Sequence, residues 1–373
     1  MTAEVARWAW GEIDLDAVAH NVGILRAAAA PAAVWAVVKA DGYGHGAVAV
    51  SRAALEAGCA GLCVALTAEG VALRQAGIDA QILILSEQPA DHAATIVAHR
   101  LTPTVTTVEA VEALALTGGR DVEVHVKVDT GMHRVGAAPA DVATLVGAVE
   151  QAAPRLRLAG IFTHLAVADE PDDPYTAGQL ARLDEVIAAL APLGDVAVHA
   201  ANSAATLAHP NARRSLVRAG IAVYGVSPGP GVDRLATALR PVLSLHARVS
   251  FVKRLAAGSR LSYGLRHQLA VDTNVATVPL GYADGVRRGL SSNGDVLIGG
   301  RRRPIIGTVT MDQLMVDCGD DPVQRGDEVV LLGRQGDESI TAEEWAARLG
   351  TIGYEVLCGI GPRVPRHVVA RPP

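Results

Sequence analysis

The sequence predicts an α/β fold, a (β/α)8 TIM-like barrel over residues 1–235 followed by a mainly β domain over residues 236–373. Three features lead to it. Eight short apolar runs alternate with alanine-rich amphipathic stretches over about 220 residues, the size of such a barrel. Past Pro228-Gly229-Pro230-Gly231 the texture changes to short strands separated by turns. The runs of the first region also end repeatedly in polar residues, as the rim of a barrel requires. A doubly wound open sheet is the runner-up for that region.

The barrel strands are read at residues 34–38, 61–66, 81–85, 102–105, 122–128, 156–163, 196–200 and 216–218. Helices are read between them at 47–57, 67–76, 89–99, 139–151 and 176–190, where apolar residues recur at helical spacing. An opening strand around residues 8–15 precedes the barrel, and residues 1–13 have the C-terminal domain as an alternative partner. In the second domain, strands are expected at 242–255, 275–279, 296–298, 305–310, 314–317 and 328–332, with Gly326-Asp327 and Gly336-Asp337 as turns. One late helix, 341–349, carries its own start signal: Thr341 as cap and Glu344 three residues on.

Half of the 373 residues are hydrophobic and 19% are charged, so the chain has both the length and the composition to bury a core. A net charge of −6 argues against nucleic acid as a partner, since binders of phosphate backbones carry a basic excess. The one basic triplet, Arg301-Arg302-Arg303, reads as a turn between strands. Cys59, Cys63, Cys318 and Cys358 sit in apolar or strand-like surroundings without metal-ligand spacing, so no metal is expected and a reducing compartment is. The N-terminus lacks a secretion signal and no apolar stretch reaches the length of a membrane span. The expected location is the cytoplasm.

The chemistry begins at Lys39, where the first barrel strand turns into Asp41-Gly42-Tyr43-Gly44-His45-Gly46. A lysine held partly out of water loses its proton more readily, and the free amine can attack a carbonyl to give a Schiff base. Glycines there let backbone approach a ligand, and Tyr43 adds a hydroxyl. Further strand ends supply Leu85, the segment from Lys127 through Asp129 to Arg134, His164, Asn202-Ser203, and Arg218-Ala219-Gly220-Ile221. Asn202-Ser203 opens a short helical turn whose free amides and hydroxyl suit an anion, after the strand that usually carries phosphate in such barrels. Singly, His164 would be a core histidine and Arg218 a salt-bridge partner; together with Lys39 they share one rim.

The motifs around Lys39 and Tyr43, Asp129-Thr-Gly-Met-His-Arg134, Ala201-Asn-Ser203-Ala, Arg218-Ala-Gly-Ile, Ser262-Tyr263-Gly264, Gly281-Tyr-Ala-Asp-Gly285, Met311-Asp-Gln313 and Tyr354-Glu-Val together closely resemble the alanine racemase family. The resemblance runs in order through nearly the whole chain. It implies pyridoxal 5′-phosphate held on Lys39, interconversion of L- and D-alanine, a supply of D-alanine for peptidoglycan, and a homodimer whose sites are completed across the interface. By position it makes Lys39 one base and Tyr263 of the partner subunit the other, with Lys39 taking the proton of the D isomer. Arg134 and the Met311 backbone become substrate-carboxylate contacts. Tyr43, Asn202, Ser203, Gly220, Ile221 and Tyr354 become contacts at the phosphate end, with Leu85 and His164 bordering the ring and Arg218 facing the pyridine nitrogen. Tyr282 and Tyr354 narrow the mouth, favouring a methyl side chain. In the family the lysine matching Lys127 can be carbamylated; the plainer reading pairs Lys127 with Asp129. His133 and Thr310 depart from the family pattern, which has a small residue and often a cysteine there.

Two bases answer a physical need. The carbanion formed on removing an α-proton requires a cofactor that spreads its charge. One rigid base cannot serve both faces of a plane. A pyridoxal-phosphate-binding homeostasis protein is the first competitor, but it has no second domain to carry Tyr263. A decarboxylase of similar architecture should face the ring nitrogen with an acid, where this chain has Arg218. A broad-specificity racemase stays open.

Overall fold

The computed structural model describes residues 7–369. Residues 1–6 and 370–373, which the expected domain limits include, lie outside the described residues. Two compact units emerge: Ala17–Arg240, and a second in which the N-terminal residues 7–16 join residues 241–369.

In the first unit eight parallel strands form two runs, β4-β3-β2-β9 and β5-β6-β7-β8. Their bounds are Ala33–Val37 (β2), Gly61–Val64 (β3), Gln81–Ile84 (β4), Thr104–Val105 (β5), Val122–Lys127 (β6), Leu156–Phe162 (β7), Ala197–His199 (β8) and Leu216–Ala219 (β9). The runs are stitched at both seams. A parallel bridge joins Leu83 to Thr102, and the amides of Ser215 and Arg218 donate to the carbonyls of Val198 and Ala201 at 2.9 Å each. The sheet thus closes into the expected barrel. The strands are buried on both faces and mostly apolar, as parallel strands covered by helices are, with His125, Lys127, His199 and Arg218 as buried polar exceptions.

Helices Ala47–Glu56, Thr67–Gln75, Ala93–Ala98, Val142–Gln151 and Tyr175–Leu190 stand where the alternation put them, each within a few residues. Leu15–Ala29 and Val108–Ala115 are helices that the reading above did not include. The first buries Val18, Val22, Leu25 and Ala29, a stripe at helical spacing that the alanine-rich background hides. The opening strand therefore stops at Asp14: β1 is Ala9–Asp14.

In the second unit one ten-stranded sheet runs β11-β14-β17-β16-β15-β18-β10-β1-β20, with β19 paired to β18. The strands are Leu243–Arg248 (β10), Phe251–Leu255 (β11), Thr273–Val278 (β14), Asp295–Ile298 (β15), Arg301–Ile306 (β16), Leu314–Asp317 (β17), Glu328–Gln335 (β18), Glu338–Ile340 (β19) and Arg366–Val369 (β20); a separate ribbon pairs Arg260–Leu261 (β12) with His267–Gln268 (β13). β1 lies between β10 and β20, so the opening strand pairs with this unit. Residues 242–255 are two strands, broken at Val249-Ser250, rather than one. Arg301-Arg302-Arg303 is corrected likewise: it lies in β16 after the Gly299-Gly300 turn. Asp321 pairs with Arg301 and Arg303, and Glu338 and Glu344 pair with Arg302, so the triplet is neutralised within its own unit.

Candidate active site

The lysine at the end of β2 sits on an unusual backbone. Ala40, Asp41, Gly42 and Tyr43 have φ of 52, 51, 62 and 52°, a left-handed turn within the glycine-rich segment. Each of the three residues there with a Cβ costs roughly 1–2 kcal/mol in that conformation. Several bonds hold the turn: Gly42 N to Val38 O (2.9 Å), Gly46 N to Asp41 O (2.9 Å), Ala47 N to Asp41 Oδ1 (2.8 Å) and Ala40 N to Glu69 Oε1 (2.7 Å). Lys39 is half-buried and Tyr43 is buried, its ring 4.9 Å from that of Tyr224.

Across the rim, Asn202 caps the helix Ser203–Ala208 by accepting from Ala205 N at 2.9 Å. Ser203 Oγ accepts the amides of Gly220 (2.8 Å) and Ala222 (3.3 Å). The Gly220 amide is therefore engaged by the serine in this structure. The consequence is that the Ser203 proton is left to donate outward. A Cβ on Gly220 would come within 2.6 Å of the Tyr43 hydroxyl, so that glycine keeps open the gap beside Tyr43. Ile221 begins the turn Ile221–Tyr224, whose first amides have no partner within the turn.

Arg218 is buried among neutral groups. Its Nη2 donates to the carbonyls of Thr163 (2.8 Å) and Ala200 (3.1 Å) and reaches His164 Nδ1 at 3.3 Å; its Nη1 donates to His199 Nδ1 at 2.6 Å. His199 Nε2 in turn lies 2.9 Å from His125 Nδ1. Burial and the neighbouring guanidinium push His125 down to about 3 and hold His164 and His199 well below the usual imidazole range. The imidazoles are therefore neutral acceptors, and the His199 proton belongs on Nε2. Burial lowers Arg218 itself to about 10, which leaves it charged at neutral pH. Among the described residues no carboxylate pairs with it.

Lys127, also buried, donates to Leu85 O at 3.3 Å, and its ammonium sits 5.6 Å from the centre of the Phe162 ring. Burial, then Arg218 and Arg134, lower it to about 8. The pairing with Asp129 expected on the plainer reading does not form. Asp129 Oδ1 instead accepts the amides of Gly131 and His133 at 3.0 Å each, and Oδ2 lies 3.4 Å from His133 Nδ1. Burial alone would raise Asp129, but those two amides and His133 outweigh it and hold it below the carboxylate range. His133, the first departure from the family pattern, has φ of 57°, in the left-handed region. Arg134 is exposed on the same loop, and that loop is held from behind by Tyr175 Oη to Gly131 O (2.7 Å) and Arg182 Nε to Thr130 O (2.5 Å).

In the second unit Tyr263 is 76% exposed and lines a cleft of about 570 Å³ with Lys253, Thr310, Gln313 and Met315. Its backbone is fixed: Thr308 Oγ1 donates to Tyr263 O (2.9 Å) and Ser262 Oγ to Thr308 O (2.7 Å). Tyr282 and Met311 belong to two turns locked together by Tyr282 N to Thr310 O (2.9 Å) and Ala283 N to Met311 O (3.0 Å). Thr310, at the second departure, closes the Met311-Asp312 turn by donating its hydroxyl to Gln313 O at 2.8 Å. Behind them the fully buried Asp284 accepts Gly281 N (3.0 Å) and pairs with Arg7 (2.8 Å). Tyr354 is half-buried in the helix Gly353–Cys358. Glu69, Gln179, His125 and His199 were not singled out from sequence. Glu69 alone left a trace, as a glutamate at the third helical position.

The barrel rim fits pyridoxal 5′-phosphate. Ser203 and the Ile221 turn offer donors to an anion, Gly220 leaves the gap that a Cβ would fill, and Arg218 presents a charge that can only donate. A barrel with that rim, joined to a β sheet carrying an outward phenol, defines the class of pyridoxal-phosphate-dependent amino-acid racemases. Residues 13–228 match the family model described as alanine racemase, N-terminal domain, and residues 242–368 match that of the C-terminal domain. The alanine racemase of Symbiobacterium thermophilum is 47% identical over 98% of both chains, and that of Frankia casuarinae 44% over 96% of this chain and 95% of its own. Among solved structures, the alanine racemase of Streptomyces lavendulae superposes with a TM-score of 0.93 at 41% identity, covering 99% of this chain and 98% of its own. The Bacillus anthracis enzyme with bound L-Ala-P reaches 0.91 at 38%, covering 98% and 96%. The chain belongs to the alanine racemase family.

Proposed function

We propose that this racemase interconverts L- and D-alanine with Lys39 of one subunit and Tyr263 of the partner subunit as bases on opposite faces of the substrate. The observation that carries the reading is the charged Arg218 set among neutral acceptors on the rim that also bears Lys39 and Ser203. When bound, pyridoxal 5′-phosphate supplies the conjugated system that spreads the charge left by the departing α-proton. The chain's residues do the rest. Lys39 Nζ attaches the cofactor and, on one face, takes or returns the α-proton. The Tyr263 hydroxyl does the same on the other, so a proton lost to one side is replaced from its opposite. Arg218 withholds a proton from the ring nitrogen, which weakens the electron sink and keeps charge at the α-carbon, away from the carbon a transaminase would protonate.

Ser203, Tyr43, Asn202, Gly220, Ile221 and Tyr354 hold the phosphate end in this reading, and Leu85 and His164 border the ring. Arg134 and the Met311 amide bind the substrate carboxylate. Lys127 is carbamylated, which turns a buried cation into an anion that orients Arg134; a lysine brought down to about 8 by burial and by Arg218 and Arg134 has the neutral amine this requires. Tyr282 and Tyr354 crowd the mouth against side chains larger than methyl. The working form is a homodimer in the cytoplasm, supplying D-alanine for peptidoglycan. Three buried, unbridged thiols, Cys59, Cys63 and Cys318, suit such a reducing compartment.

Subunit mixing tests the shared site. Lys39→Ala and Tyr263→Phe homodimers should each be inactive. A symmetric dimer mixed from the two should regain about a quarter of wild-type turnover, because half the dimers are hybrids with one intact site of two. No recovery in demonstrated hybrids would remove the partner's phenol from the mechanism.

A further inference from the structure

The carboxylate of Glu69 works in two directions. Its Oε2 accepts the amides of Ala65 (2.8 Å) and Leu66 (3.0 Å), the ordinary service of a glutamate in the first turn of the helix Thr67–Gln75. Its Oε1 leaves that helix and accepts Ala40 N at 2.7 Å, the first amide after Lys39. The cap does not need this second contact. It falls on the first of four consecutive left-handed residues, Ala40 to Tyr43, three of which carry a Cβ. Such a run does not sustain itself in an L-chain. Most of its other ties are made within the segment from Val38 to Ala47, whereas Glu69 ties it to the loop after β3, the neighbouring strand.

We propose that Glu69 is a positioning residue for Lys39: by anchoring the left-handed turn it sets the lysine amine where the cofactor aldehyde arrives, and so governs cofactor attachment. This rests on the reading of Lys39 as the attachment point. In that step the amine nitrogen bonds the aldehyde carbon and the aldehyde oxygen leaves as water. Glutamine at position 69 keeps the shape and one acceptor, but turns an NH2 toward amides that need an oxygen. Glycine at position 40 adopts the left-handed conformation without penalty and lessens the need for the anchor.

The test uses full-length protein stripped of cofactor and given pyridoxal 5′-phosphate, with attachment followed by visible absorbance, fixed by borohydride and located by peptide mapping. Glu69→Gln should attach the cofactor about tenfold more slowly, equivalent to about 1.4 kcal/mol. In the Ala40→Gly background the same change should cost less than about threefold, a coupling that a plain helix cap does not produce. Wild-type attachment by Glu69→Gln, with only a lowered melting temperature, would reduce Glu69 to a cap and overturn the proposal. So would an equal loss in both backgrounds, a comparison that remains available through the double variant if the single one folds poorly. A wild-type protein labelled at a lysine other than Lys39 would instead overturn the reading beneath it, and the peptide map tells the two failures apart.

Discussion

The two units handle their functional groups in opposite ways. On the barrel rim Tyr43, Lys127, Ser203 and Arg218 are at most 7% exposed, the last three held by hydrogen bonds, whereas in the β unit Tyr263, Met311 and Tyr282 are 76%, 52% and 43% exposed. Yet the exposed groups do not hang on loose loops. Their backbones are bonded turn to turn, and the buried Asp284 braces the Tyr282 turn. The barrel builds its own low-dielectric pocket, where charges and dipoles act strongly. The β unit holds its groups exposed on rigid backbone, the arrangement that the proposed dimer would need.

The largest effect that can break this contrast is on Tyr263. Tyr263→Phe should lower turnover about a thousandfold, within the range for removing a general base. Cofactor affinity should stay within about twofold in an equilibrium titration, because a phenol that contributes only proton transfer adds no ground-state binding. Lys39→Ala should lose both. A Tyr263→Phe protein that failed to hold its cofactor would show that this phenol also contributes to ground-state binding, and its restriction to proton transfer would fall.

Next in size is Arg218→Glu. An acid there would let the ring nitrogen keep a proton, so racemisation should be lost and a half-transamination, seen as pyruvate released in a single turnover, should appear. Unchanged racemisation would remove the argument from Arg218. Gly220→Ala should follow, weakening cofactor binding about tenfold through the Cβ that meets the Tyr43 hydroxyl, with the β unit unaffected.

What could be read from the chain follows the same line. Strands of the barrel were legible because apolar runs buried on both faces stand out, and all eight appear within a few residues of their expected bounds. The helix Leu15–Ala29 was not, since alanine on both faces blurs its stripe. Local chemistry placed Thr341 as a cap, which it is, but not the left-handed turn after Lys39, because three of its residues carry side chains that disfavour it. Glu69 and the His125–His199 pair act through contacts far apart in sequence, 29 residues for Glu69 to Ala40 and 74 for the two histidines, and no local pattern announces such contacts. The family motifs named the rim residues without revealing that Ser203 takes the Gly220 amide or that Asp129 turns away from Lys127.

A smaller test probes the dielectric of the barrel. Lys127 falls from 10.5 in the unfolded chain to about 8, so above about 8 the folded state gives up a proton that the unfolded chain still holds. Stability should therefore rise with pH through that window and carry the full cost of the buried charge below it. In carbon-dioxide-free buffer, Lys127→Met should flatten the slope of the denaturation midpoint between about 8 and 10.5. Isotopically labelled bicarbonate added to the wild type should give a carbamate resonance that the variant lacks. An unchanged slope would mean that water reaches this lysine.

The smallest effect belongs to the β unit and sharpens the contrast from its other side. Thr341 Oγ1 accepts Glu344 N at 3.2 Å at the start of the helix Ala342–Leu349, and Gly350, with φ of 65°, ends it. That helix contributes Glu344 to Arg302 and Arg348 to Asp295, so it clamps the central strands β15 and β16, outside the lining of the Tyr263 cleft. Thr341→Ala should cost about 1 kcal/mol, the usual worth of an N-cap, visible as a lower denaturation midpoint. Turnover and cofactor affinity should not move, because the Tyr282 and Met311 turns are bonded to each other and the Tyr263 turn to Thr308, with none of these bonds made to this helix. A fall in turnover with unchanged cofactor binding would mean that the outward groups depend on the whole sheet for their aim, and that their rigidity is not confined to the bonds between those turns.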